Sequence, residues 1–240
     1  MKLWQKLGLI TLVAVLIGTT YVFFVFQSRR SPGVAVNKGE EAKPLTDDEL
    51  SYVKQNLFAT FDQAKQLEGT TVWVKAGYAL PYFPYGGAVE WSKPQGDLPA
   101  TEKLEIKKLI KAAAPAKLDD RVDHGSRQYL AVFTMNGKPG QFAAPFGYVQ
   151  GEQEGILADQ LFYYDDPKTI YSHWPQSVWD AVAAHTPKAG MTENQTRMVV
   201  GILMESGSQS IGNRTVTYHA GPKLWTVTFA NGVATAVKEG

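Results

Sequence analysis

The chain has 240 residues, no cysteine and almost balanced charge, with 24 Lys and Arg against 23 Asp and Glu. The absence of cysteine excludes disulfides, Cys-ligated zinc, iron–sulfur clusters and thiol chemistry. Four basic residues and no acidic ones lie in the first thirty, which leaves residues 31–240 with 20 basic and 23 acidic residues, a net charge of −3. This part of the chain lacks the basic patch that binds nucleic acid, so we expect no nucleic-acid partner.

The segment Leu7–Phe26 consists of uncharged and mostly apolar residues. Its length suits a hydrocarbon core about 30 Å thick, since a helix rises about 1.5 Å per residue. Basic residues flank it on both sides. The segment therefore predicts one transmembrane helix in contact with membrane lipid. A cleaved signal peptide is the alternative, but its apolar core would be shorter and would end at small residues instead of aromatic ones.

Small and β-branched residues fall near one side of this predicted helix, where they would let a second helix approach closely. They are Gly8, Thr11, Val15, Gly18 and Val22. The pattern predicts a transmembrane partner, although such residues are also ordinary in spanning helices.

The folded body is predicted to begin with a helix. Residues 27–45 are rich in Pro, Gly and polar residues, which is typical of a linker. Thr46 and Glu49 then fit a capping box, and apolar residues recur at helical spacing as far as Leu67. We therefore expect a helix over Asp47–Leu67.

From Thr70 the apolar residues alternate, which favours strands. The predicted strands are Thr70–Lys75, Lys103–Lys111, Gln128–Thr134, Gly140–Phe146 and Gly155–Tyr164. The pattern of the second is ambiguous, and the alternation of Leu104 and Ile106 favours a strand there. Asn136-Gly137 lies between the third and the fourth and indicates a hairpin. Short strands separated by turn residues resemble a small SH3-like β-barrel, so residues 46–170 are predicted to form a helix plus such a barrel.

An aromatic run in a proline- and glycine-rich turn region could form an exposed patch for partner proteins. Its members are Tyr82, Phe83, Tyr85 and Trp91. The alternative is that these rings fill the barrel core or cover its open end.

The last third predicts two helices followed by three antiparallel strands. A second capping box, Thr192 with Gln195, begins a helix that Gly201 can end, and Asn231-Gly232 predicts a type I′ hairpin. The other predicted elements are the helix Pro175–His185 and the strands Arg214–His219, Lys223–Phe229 and Val233–Lys238.

Residues 175–238 resemble the SmpA/OmlA family, which has the BamE-like fold. The resemblance is carried by G-M-T-x-x-Q at Gly190–Gln195, by Gly201, by Tyr218 on a strand, and by W-x-V-x-F-x-N-G-V at Trp225–Val233. It implies two helices packed on a three-stranded antiparallel sheet, in a non-catalytic adaptor of envelope assemblies. The chain departs from the family in having no lipid-bearing cysteine and no proline soon after Gly201.

The resemblance also implies a body outside the cytoplasm. Together with the predicted helix at 7–26, it gives a single-pass protein of a bacterial inner membrane. Residues 1–6 would then be a cytoplasmic tail and the body would be periplasmic.

The cluster Asp119–His124 offers carboxylates and an imidazole that a metal could use. Its spacing matches no EF-hand loop and no H-E-x-x-H site, so a solvated loop is the preferred interpretation. Ser126 lies too near His124 in sequence to form a triad with it, and the chain has no G-x-S-x-G, G-x-G-x-x-G or Walker motif. We expect no catalytic residues, no metal and no cofactor.

The predicted fold class is therefore α+β, with one transmembrane helix, an SH3-like barrel and a BamE-like domain. The predicted function is that of a non-catalytic accessory subunit of a respiratory, photosynthetic or secretory inner-membrane complex, covering its periplasmic face through contacts with other protein subunits. The alternative is an envelope assembly factor or a cell-wall- or peptide-binding module. An unrecognised hydrolase comes third.

Overall fold

The computed structural model describes residues 45–115, 127–208 and 210–240. Eleven strands in the described residues form two antiparallel sheets. The strands are β1 Thr71–Val74, β2 Phe83–Tyr85, β3 Lys103–Ala113, β4 Arg127–Met135, β5 Lys138–Gln150, β6 Gln153–Ile156, β7 Phe162–Tyr163, β8 Met204–Ser206, β9 Thr215–Ala220, β10 Lys223–Ala230 and β11 Val233–Glu239. The helices are α1 Asp47–Leu50, α2 Phe61–Ala64, α3 Ala158–Leu161, α4 Pro167–Ile170, α5 Gln176–Ala184 and α6 Glu193–Val200, with a 3₁₀ turn at Lys65–Leu67.

This fold is mostly β, which corrects the predicted α+β class. The strands dominate because the apolar residues from Thr71 onward are buried between paired strands, while the longest described helix, α5, has only 9 residues. Among the described residues, no helix combines the length and the apolar character needed to cross a membrane. Within the described residues, the predicted α+β class with a transmembrane helix is wrong, and no helix there supports the predicted inner-membrane localisation.

The segment behind that prediction, Leu7–Phe26, lies outside the described residues. So do the five residues predicted to contact a partner helix: Gly8, Thr11, Val15, Gly18 and Val22.

The first sheet has the strand order β2-β5-β4-β3-β1-β7, with β6 paired to β5. Within the described residues its end strands β2 and β7 do not pair with each other, so an open sheet replaces the predicted SH3-like barrel. Strand β4 is apolar along most of its length because apolar clusters cover both of its faces. Tyr129 and Phe133 pack in the larger cluster, and Leu130 and Val132 pack in a smaller one.

Four predicted strands and the hairpin turn at Asn136-Gly137 are confirmed; these strands are Thr70–Lys75, Lys103–Lys111, Gln128–Thr134 and Gly140–Phe146. The strand predicted over Gly155–Tyr164 is wrong as one element. Residues Gln153–Ile156 continue the meander as β6, helix α3 follows, and Phe162–Tyr163 pair instead with β1 as β7. The intervening helix carries the chain from one side of the sheet order to the other.

The helix predicted over Asp47–Leu67 is also wrong, although its capping box at Thr46 is confirmed. Helix α1 ends at Leu50, and the chain then runs without helix to Thr60. The physical reason is a competing acceptor: the Asp159 carboxylate accepts the backbone N–H groups of Asn56 and Leu57 at 3.0 and 2.8 Å. A continuous helix would have used those N–H groups internally.

The C-terminal half packs α5 and α6 on the second sheet, whose order is β11-β10-β9-β8. Both predicted helices and the three predicted strands are confirmed, and positive φ angles at Asn231 and Gly232 fit the predicted turn. Strand β8, which pairs with β9, makes four strands where three were predicted. Strand β8 has only three residues, which are too few for a periodic pattern.

Candidate functional site

Strand β1 joins the two halves because its two faces pack in different cores. Val72 and Val74 are buried in the core of the first sheet. Alternate residues of a strand face opposite ways, so Trp73 and Lys75 project from the other face. Trp73 packs against the C-terminal core and pairs in register with Tyr163 of β7. This face of β1 and the helices of the C-terminal half line two cavities that are partly open to solvent.

The first cavity, called here the tryptophan cavity, has a volume of about 270 Å³. Half-buried Trp73 and buried Trp179 line it, with Val182 and Ala183 from α5. Its polar lining comes from Thr101, Asp166 and Lys168. Two large rings beside a few polar groups are typical of a site that accepts an apolar side chain and fixes its orientation.

The charged lining residues of the tryptophan cavity belong to the start of α4. Asp166 is the N-cap of that helix, and its carboxylate accepts the backbone N–H of Lys168 at 2.8 Å. The Lys168 ammonium lies 6.0 Å from the centroid of the Trp179 ring. The cavity lining therefore carries one negative and one positive side chain, Asp166 and Lys168, which do not form an ion pair with each other.

Thr101 is held in a strained conformation at this cavity. Its φ angle is +64°, which is rare for a β-branched residue. Its backbone N–H donates to the Val74 carbonyl at 2.8 Å, and this bond fixes the turn before β3. A non-glycine residue in such a region costs on the order of 1–3 kcal/mol, and such costs cluster at binding sites. Together with the two tryptophans, this strain makes the tryptophan cavity the candidate site.

A carboxylate cluster centred on Asp48 ties α1 to the C-terminal half. Its oxygens accept from Trp174 Nε1 at 2.5 Å and Asn194 Nδ2 at 3.1 Å, and one contacts His173 Nε2 at 2.7 Å. Burial raises the pKa of Asp48, but the three hydrogen bonds outweigh it and leave that pKa below its ordinary value. His173 hydrogen-bonds to no hydroxyl among the described residues, so this Asp–His pair lacks the nucleophile of a triad.

The four aromatic residues predicted to contact a partner lie in or near β2, the end strand of the first sheet farthest from β7 in the strand order. Tyr82 and Phe83 are buried, with exposures of 3% and 1%. Tyr85 and Trp91 are half-buried and cover the smaller cluster, where the Trp91 ring lies 5.0 Å from Phe83. Core filling, the alternative weighed for these rings, describes Tyr82 and Phe83. None of the four lines the tryptophan cavity.

The acidic cluster Asp119–His124 and Ser126 lie outside the described residues. In ranges 45–115, 127–208 and 210–240, no three His, Asp or Glu side chains are grouped closely enough to hold a metal ion.

Sequence reasoning missed the residues of the tryptophan cavity. The alternation of Thr71–Val74 already placed Trp73 on the face opposite to Val72 and Val74, and that was a usable signal. Trp179 and Thr101 gave no comparable signal, because their proximity to Trp73 depends on how the two halves pack.

No protein-family model, no curated protein and no solved structure matches this chain. The resemblance of residues 175–238 to the SmpA/OmlA family therefore gains no support from these comparisons.

Proposed function

We propose that this protein is a non-catalytic binding module that holds an apolar side chain of a partner protein in the tryptophan cavity. The observation that carries the proposal is that Trp73 and Trp179 both line a cavity of about 270 Å³ beside the strained Thr101. Tryptophan side chains supply much of the binding energy at protein interfaces.

The size of the cavity favours a small ligand. Its volume of about 270 Å³ lies just below the range of about 300–1,000 Å³ that is typical of pockets for drug-sized molecules and cofactors, and a single side chain fits within it. An aromatic, aliphatic or prolyl side chain matches the two indole rings. Asp166 and Lys168 can meet polar or charged groups of the residues that flank it. Contact with a partner protein is the part of the sequence-based expectation that this proposal keeps.

Peptide selection on the full-length protein tests the proposal. Peptides selected from a displayed random library should share an apolar anchor residue. Arginine at position 183 would fill the cavity, so Ala183→Arg should weaken their binding by about tenfold or more, which corresponds to about 1.4 kcal/mol. Isothermal titration calorimetry with synthetic peptides measures the change.

The neighbouring residue provides a matched control. Ala184 is exposed on the same helix, like Ala183, but does not line the cavity. Ala184→Arg adds the same charge and bulk and should leave peptide affinity within about twofold of wild type, a change of about 0.4 kcal/mol. Equal loss in both variants, or no peptide with an apolar anchor, would contradict the proposal.

A further inference from the structure

The second cavity beside β1 is lined by two cations and two amides. It has a volume of about 180 Å³. Its polar lining consists of Lys75, Gln160, Asn194 and Arg197, and the Tyr163 ring lies against the Lys75 ammonium at 5.6 Å. No carboxylate side chain is part of this lining. The cavity therefore presents positive charge and hydrogen-bond donors to whatever enters it.

The two cations lack a carboxylate partner within the part of the chain that the structure describes. No Asp or Glu oxygen of the described residues lies within ion-pair distance of Lys75 or Arg197. Lys75 Nζ donates to the main-chain carbonyl of Asp159 at 3.0 Å. Both side chains thus keep capacity for an anionic ligand.

The nearby carboxylates are already used by other groups. The Asp159 carboxylate accepts two backbone N–H groups and the Tyr164 hydroxyl, the latter at 2.7 Å. Asp48 is held by three side chains, one of them Asn194. Glu193, one turn before Arg197, forms a buried ion pair with Arg214. Moving any of them toward the cavity would break these bonds.

Burial leaves the Lys75 ammonium short of compensating charge. Desolvation lowers the pKa of Lys75, and the negative charge of Asp159 offsets this only in part. An anion in the cavity would supply the missing charge at close range. Arg197 adds a planar fork of N–H donors that matches the two oxygens of a carboxylate or phosphate group.

We propose that this cavity binds a small oxyanion through Lys75 and Arg197, with the amides of Gln160 and Asn194 as further donors. The volume admits a carboxylate or phosphate group, since about 180 Å³ equals the share of roughly six water molecules. The site is separate from the tryptophan cavity, so it does not depend on the proposed peptide binding.

Calorimetric titration of the full-length protein with inorganic phosphate and with acetate, at low ionic strength, tests the proposal. At least one probe should bind saturably. The tighter of the two identifies the group as phosphate or carboxylate. Lys75→Gln and Arg197→Gln should each weaken this binding by about tenfold or more.

The control removes one positive charge elsewhere. Lys238 is exposed on β11 and lines neither cavity, so Lys238→Gln lowers the net charge equally and should leave affinity within about twofold. Arg197 is exposed on α6, and its replacement should leave folding intact, which circular dichroism checks. Absence of saturable binding for both probes, or equal weakening in all three variants, would overturn the oxyanion site.

Discussion

Asp48 shows how one side chain can connect distant parts of this chain. Its carboxylate bonds to residues 125, 126 and 146 positions later in the sequence. Hydrogen bonds to a charged group contribute about 1.5–3 kcal/mol, and removing the acceptor leaves its buried donors without a hydrogen-bond partner. This residue therefore ties α1 to the C-terminal half.

We predict that Asp48→Asn lowers the free energy of unfolding by about 2 kcal/mol at neutral pH. Because the folded-state pKa lies below the ordinary value of 3.8, the carboxylate stabilises the fold fully above that value. The contribution is lost as pH falls below 3.8 and through the folded-state pKa. Urea unfolding from pH 7 to about pH 2.5 should thus show the two proteins converging at low pH.

Asp47 provides the comparison for this experiment. It lies in the same first turn of α1, but its side chain is exposed. Asp47→Asn should therefore change stability by less than about 0.5 kcal/mol. A difference between wild type and Asp48→Asn that stays constant down to low pH would show that the charge of Asp48 is not what matters.

At the scale of elements, strands could be predicted where the apolar pattern and the turn residues both lie close together in the sequence. The hairpin of β4 and β5 combines a continuous apolar run with Asn136-Gly137, and it was found from those signals. Strand β3 was ambiguous because its register shifts between Ile106 and Lys108. This bulge moves the buried positions from Leu104 and Ile106 to Leu109, which breaks the period of two.

The end of α1 could not be predicted from local sequence. Apolar residues continue at helical spacing after Leu50, yet Leu57 has a φ of +51° and is 76% exposed. What decides the local structure is the Asp159 carboxylate, which is 102 positions away along the chain from Leu57. The site was missed for the same reason, since Trp73, Thr101 and Trp179 meet only when the two halves pack.

Gly201 positions the end of α6 against the first half of the molecule. It has a φ of +85°, and a Cβ added there would lie 2.2 Å from the Gly77 carbonyl oxygen. The next residue, Ile202, donates its N–H to that same oxygen at 3.2 Å. Only glycine allows this approach, so the helix that carries Asn194 and Arg197 depends on it.

We predict that Gly201→Ala destabilises the protein by about 3 kcal/mol, since it adds the cost of a positive φ to that of a steric overlap. Chemical denaturation measures the change. Gly207→Ala is the control, because Gly207 is exposed and a Cβ there meets nothing within 4 Å. That variant should stay within about 0.5 kcal/mol of wild type, and an equal effect of the two would contradict this role of Gly201.

At the scale of the whole molecule, the two predicted domains, 46–170 and 175–238, share a packed interface. Tyr163 pairs with β1 in the first sheet, yet its side chain is buried in the C-terminal core with Trp179. Trp73 packs there as well. Separating the halves would expose these rings to water, which favours their unfolding as one cooperative unit.

This cooperativity is testable with a substitution confined to the first core. Leu104 is fully buried in β3, so Leu104→Ala should cost about 2–5 kcal/mol. In a single cooperative unit, the slowest-exchanging amides of β9 and β10 should lose the same free energy as those of β4 in native-state hydrogen exchange. Leu224→Ala, at a position 40% exposed in β10, should cost less than about 1 kcal/mol in either sheet. Unchanged protection of β9 and β10 in Leu104→Ala would mean that the halves unfold separately, and the cavities between them would then open without loss of either sheet.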